Sequence, residues 1–157
     1  MFRVLIMIFA VLCLAGAIPA RKQETICAFA NGKGMRIQYA PGPYSLKSGA
    51  IWTPGNQPMV LFLDTSVSIG GVSVPVGAYG IYVVPNKDHW TFIVNRRARP
   101  ASDYDSAWDI VRATMGFGDL GHKVDHPQIA FVHISSSQCN VRVYAGSTMA
   151  WEEIKEK

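Results

Sequence analysis

The stretch VSIGGVSVPVGAYGIYVVPNKDHWTFIVN, residues 67–95, decides the fold class of this chain. Its first part, VSIGGVSV, alternates apolar and polar residues around Gly70-Gly71. That pattern is typical of a tight β-hairpin, because glycine adopts positive φ at low cost. Two longer apolar runs, AYGIYVV and WTFIVN, then flank the turn sequence PNKDH. The stretch therefore predicts four antiparallel strands joined by short turns.

Short apolar runs continue on both sides of this stretch. They cover residues 25–30, 35–39, 59–64, 129–134, 140–145 and 151–155, and turn-forming residues separate them. The segment from Asp103 to Met115 fits either a helix or a strand, and we favour a helical turn followed by a strand. The sequence predicts an all-β fold, an antiparallel and jelly-roll-like β-sandwich of about eight to ten strands. At most one short helix is expected, near residues 104–111.

Length and composition indicate a single folded domain. The chain has 157 residues, of which 49% are hydrophobic and 17% charged, so it is too apolar to be disordered. Its 15 Lys and Arg residues against 11 Asp and Glu residues leave a net charge of +4. For an exported protein this charge is too small to favour a nucleic-acid partner.

The first 20 residues have the layout of a secretory signal peptide. Met1-Phe2-Arg3 is a basic start, and an apolar run from Val4 to Leu14 follows it. Small residues offer cleavage after Ala17 or Ala20, and polar residues then begin the mature chain. The run is short for a membrane span, which needs about 20 residues, although an uncleaved N-terminal anchor is the alternative. We therefore expect an exported protein, periplasmic or secreted, whose domain covers residues 25–157 and has no stable membrane span.

Cysteine usage supports export. Removing the signal peptide removes Cys13 and leaves Cys27 and Cys139. A pair of cysteines in an exported protein suggests a disulfide, and two buried free thiols are the alternative. Neither cysteine has a second Cys or a His at metal-ligand spacing in the sequence, so we expect no metal and no cofactor.

One pattern in the decisive stretch resembles a known family. Residues 75–85 read P-x-G-x-Y-x-x-Y-x-x-P, and Trp90 and Asn95 follow as W-x-x-x-x-N. Together with Tyr104-Asp105 and Asp109, this resembles the exported bacterial family known as domain of unknown function 2911 (DUF2911). The similarity extends over about residues 25–157. It implies an all-β domain without an established activity.

The loop before the central strands departs from the family pattern. Members usually carry W-R-x-G-x-N-E at this place, and this chain has Trp52-Thr53-Pro54-Gly55-Asn56-Gln57-Pro58. The arginine is replaced by Thr53, the glutamate is absent, and the preceding basic G-R segment is missing from residues 42–45. A family role that needs a charged pair in this loop does not transfer to this chain.

Candidate ligand-binding residues lie in two loops. Arg96, Arg97 and Arg99 form the densest charge cluster, directly after the Trp90 strand, and such a cluster can bind an anion such as phosphate, an acidic polysaccharide or a lipid headgroup. A solvated loop is the plainer interpretation. Aromatic and polar side chains that could complete a glycan site are Trp52, Asn56, Tyr104 and Asp105.

Catalytic signatures are weak by comparison. Asp103 and Asp105 could form an acid/base pair, although aspartates in a turn more often cap it. His122 and His126 lie four residues apart, but Gly121 and Pro127 favour a solvated loop there, and His133 is expected to be half-buried on a strand. Two hypotheses remain. The first is non-catalytic binding of a glycan or another anionic envelope component. The second is an exported hydrolase with its site in the loops of residues 52–56 and 103–109.

Overall fold

Nine strands make up most of the described chain. The computed structural model describes residues 21–43 and 45–157, so the predicted signal peptide lies outside the described residues. The strands are β1 (Gln23–Ala28), β2 (Gly34–Tyr39), β3 (Val60–Leu63), β4 (Val67–Ile69), β5 (Val72–Val74), β6 (Gly77–Pro85), β7 (Trp90–Asn95), β8 (Asp109–Ser135) and β9 (Gln138–Glu156).

The strands form one antiparallel sheet with the order β1-β2-β3-β6-β7-β8-β9-β4-β5. The long strand β8 joins its two halves, because it pairs with β7 up to Met115 and with β9 from Gly116 onward. Strand β1, at one end of this order, also lies against β8, because the Phe131 N–H donates to Thr25 Oγ1 at 2.9 Å. The sheet thus folds over on itself as a sandwich, and the predicted all-β, antiparallel fold is confirmed.

The main apolar core fills the space between the halves, and Tyr82, Val84 and Ile93 form a second, smaller cluster. Strands with period-two alternation bury one face, and β8 shows this over residues 111–115, where every second side chain is buried. The core joins residues of both halves, among them Met35, Ile37, Leu61, Ile81, Phe92, Val141, Val143 and Ile154. Each such side chain contributes about 1.5–3 kcal/mol by leaving water.

The β4–β5 hairpin has the turn that its sequence predicts. Gly70 and Gly71 both adopt positive φ, at 56° and 80°. Gly70 also lies against Ala113 of β8, and the nearest side-chain atom would be 2.7 Å from a Cβ added at Gly70. The turn is therefore seated on the neighbouring strand, where only a glycine fits.

The segment from Asp103 to Met115 is a helical turn followed by a strand, as predicted. A 3-10 turn covers Ser106–Trp108, and β8 begins at Asp109. The other 3-10 turns of the described residues are Pro54–Asn56 and Ala101–Asp103.

The prediction of a loop around His122 and His126 is wrong. Strand β8 runs through this segment, and both histidines are exposed on it. The register with β9 shifts between Asp119 and Val124 and again before Gln128, so extra residues bulge out of the ladder instead of ending it. These bulges accommodate the residues that favoured a loop.

The two cysteines of the described residues lie at disulfide-bonding distance. Cys27 and Cys139 are bonded, their Cα atoms are 6.6 Å apart, and both residues are fully buried. His133 is exposed rather than half-buried, and its Nδ1 lies 3.6 Å from Sγ of Cys139 because the two residues face each other across the β8–β9 hairpin. Sequence spacing gave no sign of this neighbour. The disulfide uses both sulfur atoms that could otherwise join His133 as metal ligands.

No helix among residues 21–43 and 45–157 has the length and apolar character that crossing a membrane requires.

Candidate ligand-binding site

The loop of residues 96–108, called the arginine loop below, is tied down at both ends by Asn95. This residue ends β7 and is only 2% exposed. Its Nδ2 donates to the carbonyl oxygen of Asp105 (2.9 Å) and to Oδ1 of Asp109 (2.8 Å). Its Oδ1 accepts from the N–H of Arg97 at 2.8 Å. One buried amide thus fixes the path of the loop.

Asp109 reaches this position through a β-bulge. Val94 pairs with Val111, but the next residue, Asn95, pairs with Asp109, so Ile110 is left over. A bulge changes the direction of a side chain at the end of a ladder. Here it brings the Asp109 carboxylate next to Asn95.

Tyr104 and Arg112 complete the surroundings of this carboxylate. The Tyr104 hydroxyl donates to Oδ2 of Asp109 at 2.5 Å. Arg112 Nη1 donates to the same Oδ2 (2.8 Å) and to Oη of Tyr104 (2.7 Å). Burial, and then the hydrogen bond to Asp109, raise the pKa of Tyr104 to about 12. At neutral pH Tyr104 is therefore a fixed, uncharged donor, and Asp109 is shared by three donors.

Tyr82 of β6 forms hydrogen bonds with the backbone in the middle of the arginine loop. Its Oη accepts from the N–H of Arg99 (2.9 Å) and lies 3.1 Å from the carbonyl oxygen of Arg97. Its ring meets that of Tyr104 edge to face, with the centroids 5.0 Å apart. Burial raises the pKa of Tyr82 too.

Gly80 allows the loop to lie this close to β6. A Cβ at Gly80 would overlap the carbonyl oxygen of Arg97 and would lie 2.8 Å from Cα of Ala98. A side chain there would lift the loop away from the sheet.

The anchored loop encloses a cavity of about 300 Å³. Its lining is polar and consists of Tyr82, Asn95, Arg97, Arg99, Asp103 and Asp105. The Arg97 guanidinium stacks 3.7 Å from the centre of the Trp108 ring, which positions it. Within the described chain, the arginines of the loop form no salt bridge, whereas Arg112 is paired with Asp109. The loop arginines are thus available to a ligand.

The structure brings most of the predicted binding residues together. Arg97, Arg99 and Asp105 line the cavity, and the Tyr104 ring packs against the lining residue Tyr82. Arg96 is exposed on the same loop. Asp105 also caps the 3-10 turn, because its Oδ1 accepts from the N–H of Ala107 at 2.9 Å.

The two other predicted residues lie in the neighbouring loop. Asn56 connects that loop to the arginine loop by two hydrogen bonds with Ser102, one to its Oγ (3.2 Å) and one from its N–H (2.9 Å). Trp52 is only 4% exposed and belongs to the main core. Its side chain does not line the cavity.

Sequence reasoning missed three residues of this site, Tyr82, Asn95 and Arg112, and included Asp109 only as the end of the loop of the hydrolase hypothesis. Tyr82 and Asn95 were visible in the pattern that carries the family resemblance, but as features of the fold rather than of a site. Their convergence depends on the bulge at Asp109 and on the close approach at Gly80, neither of which a spacing rule reveals.

The family is shown by direct comparison. The family described as a protein of unknown function, DUF2911, matches residues 36–157, and the chain belongs to it. No curated protein and no solved structure matches the chain.

Proposed function

We propose that this chain is an exported, non-catalytic binding domain whose arginine-loop cavity holds an acidic sugar residue of a glycan. The observation that carries the proposal is the combination of donors and acceptors in one anchored cavity. Arg97 and Arg99 can donate to a carboxylate, whereas Asp103 and Asp105 can accept from hydroxyl groups. An acidic sugar presents a carboxylate beside several hydroxyl groups spread over a ring, whereas a small inorganic anion cannot reach both the arginines and the aspartates in this way.

Binding is favoured over catalysis because the groups around the cavity already have fixed roles. Asp109 accepts from Asn95, Tyr104 and Arg112. Tyr104, with a pKa of about 12, stays protonated at neutral pH. A network of this kind holds a surface in shape and reduces the ordering cost of binding.

Export is supported by two features. The bonded pair Cys27–Cys139 fits an oxidising compartment. The sequence of residues 1–20, outside the described part, has the layout of a signal peptide.

Isothermal titration calorimetry with an oligogalacturonate tests the proposal. The double variant Arg97→Gln/Arg99→Gln should bind at least about 100-fold more weakly, since hydrogen bonds to charged groups contribute about 1.5–3 kcal/mol each and two arginines are removed. The matched control Lys33→Gln/Lys123→Gln removes the same charge from exposed sites elsewhere and should bind as the wild type does. Equal weakening in both variants would indicate only long-range attraction. Inorganic phosphate binding as tightly as the sugar would contradict the sugar part of the proposal.

The hydrolase hypothesis keeps one supporting observation, because Asp103 and Asp105 lie in the same cavity. It predicts release of shorter products from the oligogalacturonate and loss of that release in Asp103→Asn/Asp105→Asn. The binding proposal predicts an unchanged oligomer after prolonged incubation, which chromatography can measure.

A further inference from the structure

A second groove, of about 400 Å³, lies where strands β8 and β9 separate. Strand β8 pairs with β9 only from Gly116 onward, opposite Trp151, whereas β9 pairs with β4 from Ile154 onward. The β4–β5 turn fills part of the fork. We call the space the Trp151 groove; it is lined by Ser68, Gly70, Gly71, Thr114, Gly116, Trp151, Glu152, Glu153 and Lys155.

The indole of Trp151 forms one wall of this groove. A Cβ at Gly116 would overlap with Cε2, Cζ2 and Nε1 of the ring, and Cζ3 lies 4.0 Å from the Cβ position of Gly118. The ring therefore extends along β8 over two glycines, with one face against the strand. The face of an aromatic ring carries partial negative charge, which suits the polarised C–H groups of a sugar ring.

Glu152 contributes a nearly buried carboxylate to the lining of the groove. It is only 8% exposed, and its Oε1 accepts from the N–H of Gly70 at 3.1 Å. No other hydrogen bond to this carboxylate is formed within the described residues. A carboxylate held in this way is a strong acceptor for ligand hydroxyl groups.

The remaining polar groups disfavour an anion and suit an uncharged ligand. Glu153 and Lys155 form a salt bridge of 3.1 Å, so their charges balance each other. The charge of Glu152 then gives the groove a net negative charge. Ser68 and Thr114 add hydroxyl groups that can both donate and accept.

We propose that the Trp151 groove is a second binding site, which takes an uncharged sugar residue between the indole and the Glu152 carboxylate. It differs in ligand chemistry from the arginine-loop cavity and does not depend on it. Arg112, which supports the arginine-loop site, and Thr114, which lines the groove, are two residues apart on the outer face of β8, so about 7 Å of strand separates these two residues. The groove is therefore close enough to hold another unit of the same glycan.

The test is an NMR titration of the protein with neutral oligosaccharides, namely maltohexaose, cellohexaose and chitohexaose. The chain has four tryptophans, so the indole N–H signal of Trp151 can be assigned by substitution. At least one oligosaccharide should shift that signal in a saturable way with a Kd of about 1 mM or lower. Trp151→Ala should abolish binding. Glu152→Gln retains an acceptor for Gly70 and should weaken binding about tenfold.

Phe117→Ala is the control variant. It removes an exposed aromatic residue of β8 that does not line the groove, and it should bind as the wild type does. The proposal is overturned if no oligosaccharide shifts the Trp151 signal at about 10 mM, tenfold above that Kd. It is also overturned if Glu152→Gln, still folded, binds as tightly as the wild type. Neither result affects the oligogalacturonate test of the arginine-loop cavity.

Discussion

Removing the disulfide should cost this domain a large part of its stability. The bond joins residues 112 positions apart, and it links the first strand to the beginning of the last. In the chain-entropy model, closing a loop of this length stabilises the folded state by about 4–5 kcal/mol, as an upper value. Domains of this size are commonly stable by about 5–15 kcal/mol. The double variant Cys27→Ser/Cys139→Ser should therefore unfold at a much lower urea concentration.

The assay is urea unfolding of the domain of residues 25–157, together with a thiol titration. Unreduced, denatured protein should show no free thiol, because Cys27 and Cys139 are bonded and their Cα atoms are 6.6 Å apart. The single variant Cys27→Ser should show one thiol, on Cys139, which is buried next to His133. Two thiols per wild-type chain, or a stability loss below about 1 kcal/mol in the double variant, would refute the reasoning.

Three further predictions follow from individual contacts. Asp109→Asn weakens the hydrogen bond from Tyr104, so ultraviolet titration should place the tyrosine pKa below about 12 yet above 10, since burial persists; an unchanged value contradicts the network. Burial raises the pKa of Glu152 above its ordinary 4.5, so this residue's contribution to stability is complete below the unfolded pKa and is lost as pH rises through the folded one. The stability of Glu152→Gln relative to the wild type should therefore increase from pH 4 to pH 7. Urea unfolding that gives the same difference in unfolding free energy at both pH values would contradict this prediction. Gly80→Ala should displace the arginine loop and weaken oligogalacturonate binding at least tenfold while leaving Trp151 unaffected; calorimetry showing wild-type affinity would contradict the close approach at Gly80.

Local patterns predicted the strands well because the residues that form turns and faces are adjacent in sequence. The Gly70-Gly71 hairpin and the β6–β7 pair need only alternation and turn chemistry to be recognised. The pairing of Cys27 with Cys139 was also predicted, because these are the two cysteines outside the expected signal peptide. The prediction of a loop around His122 was wrong because bulges in a long hairpin can accommodate turn-forming residues.

The site was less predictable because its geometry depends on contacts between distant segments. The arginine cluster was visible as a run of charge, but the residues that anchor it come from β6, β7 and β8. Trp52 illustrates the opposite error: a tryptophan in a loop has the composition of a binding platform, yet this one is buried in the core. Trp151 and Glu152 form a groove only because β8 leaves β9 at Gly116, and that bend has no sequence signal.

The central claim, that the arginine-loop cavity binds an acidic sugar without cleaving it, is tested most directly by one NMR titration with an oligogalacturonate. The same spectra report which protein residues contact the ligand and whether the ligand is hydrolysed. Binding in the cavity should give saturable shifts of the backbone amides of Arg97, Arg99 and Asn95, with the oligomer intact throughout. Shifts confined to residues outside 95–112, or the appearance of new reducing-end signals, would contradict it.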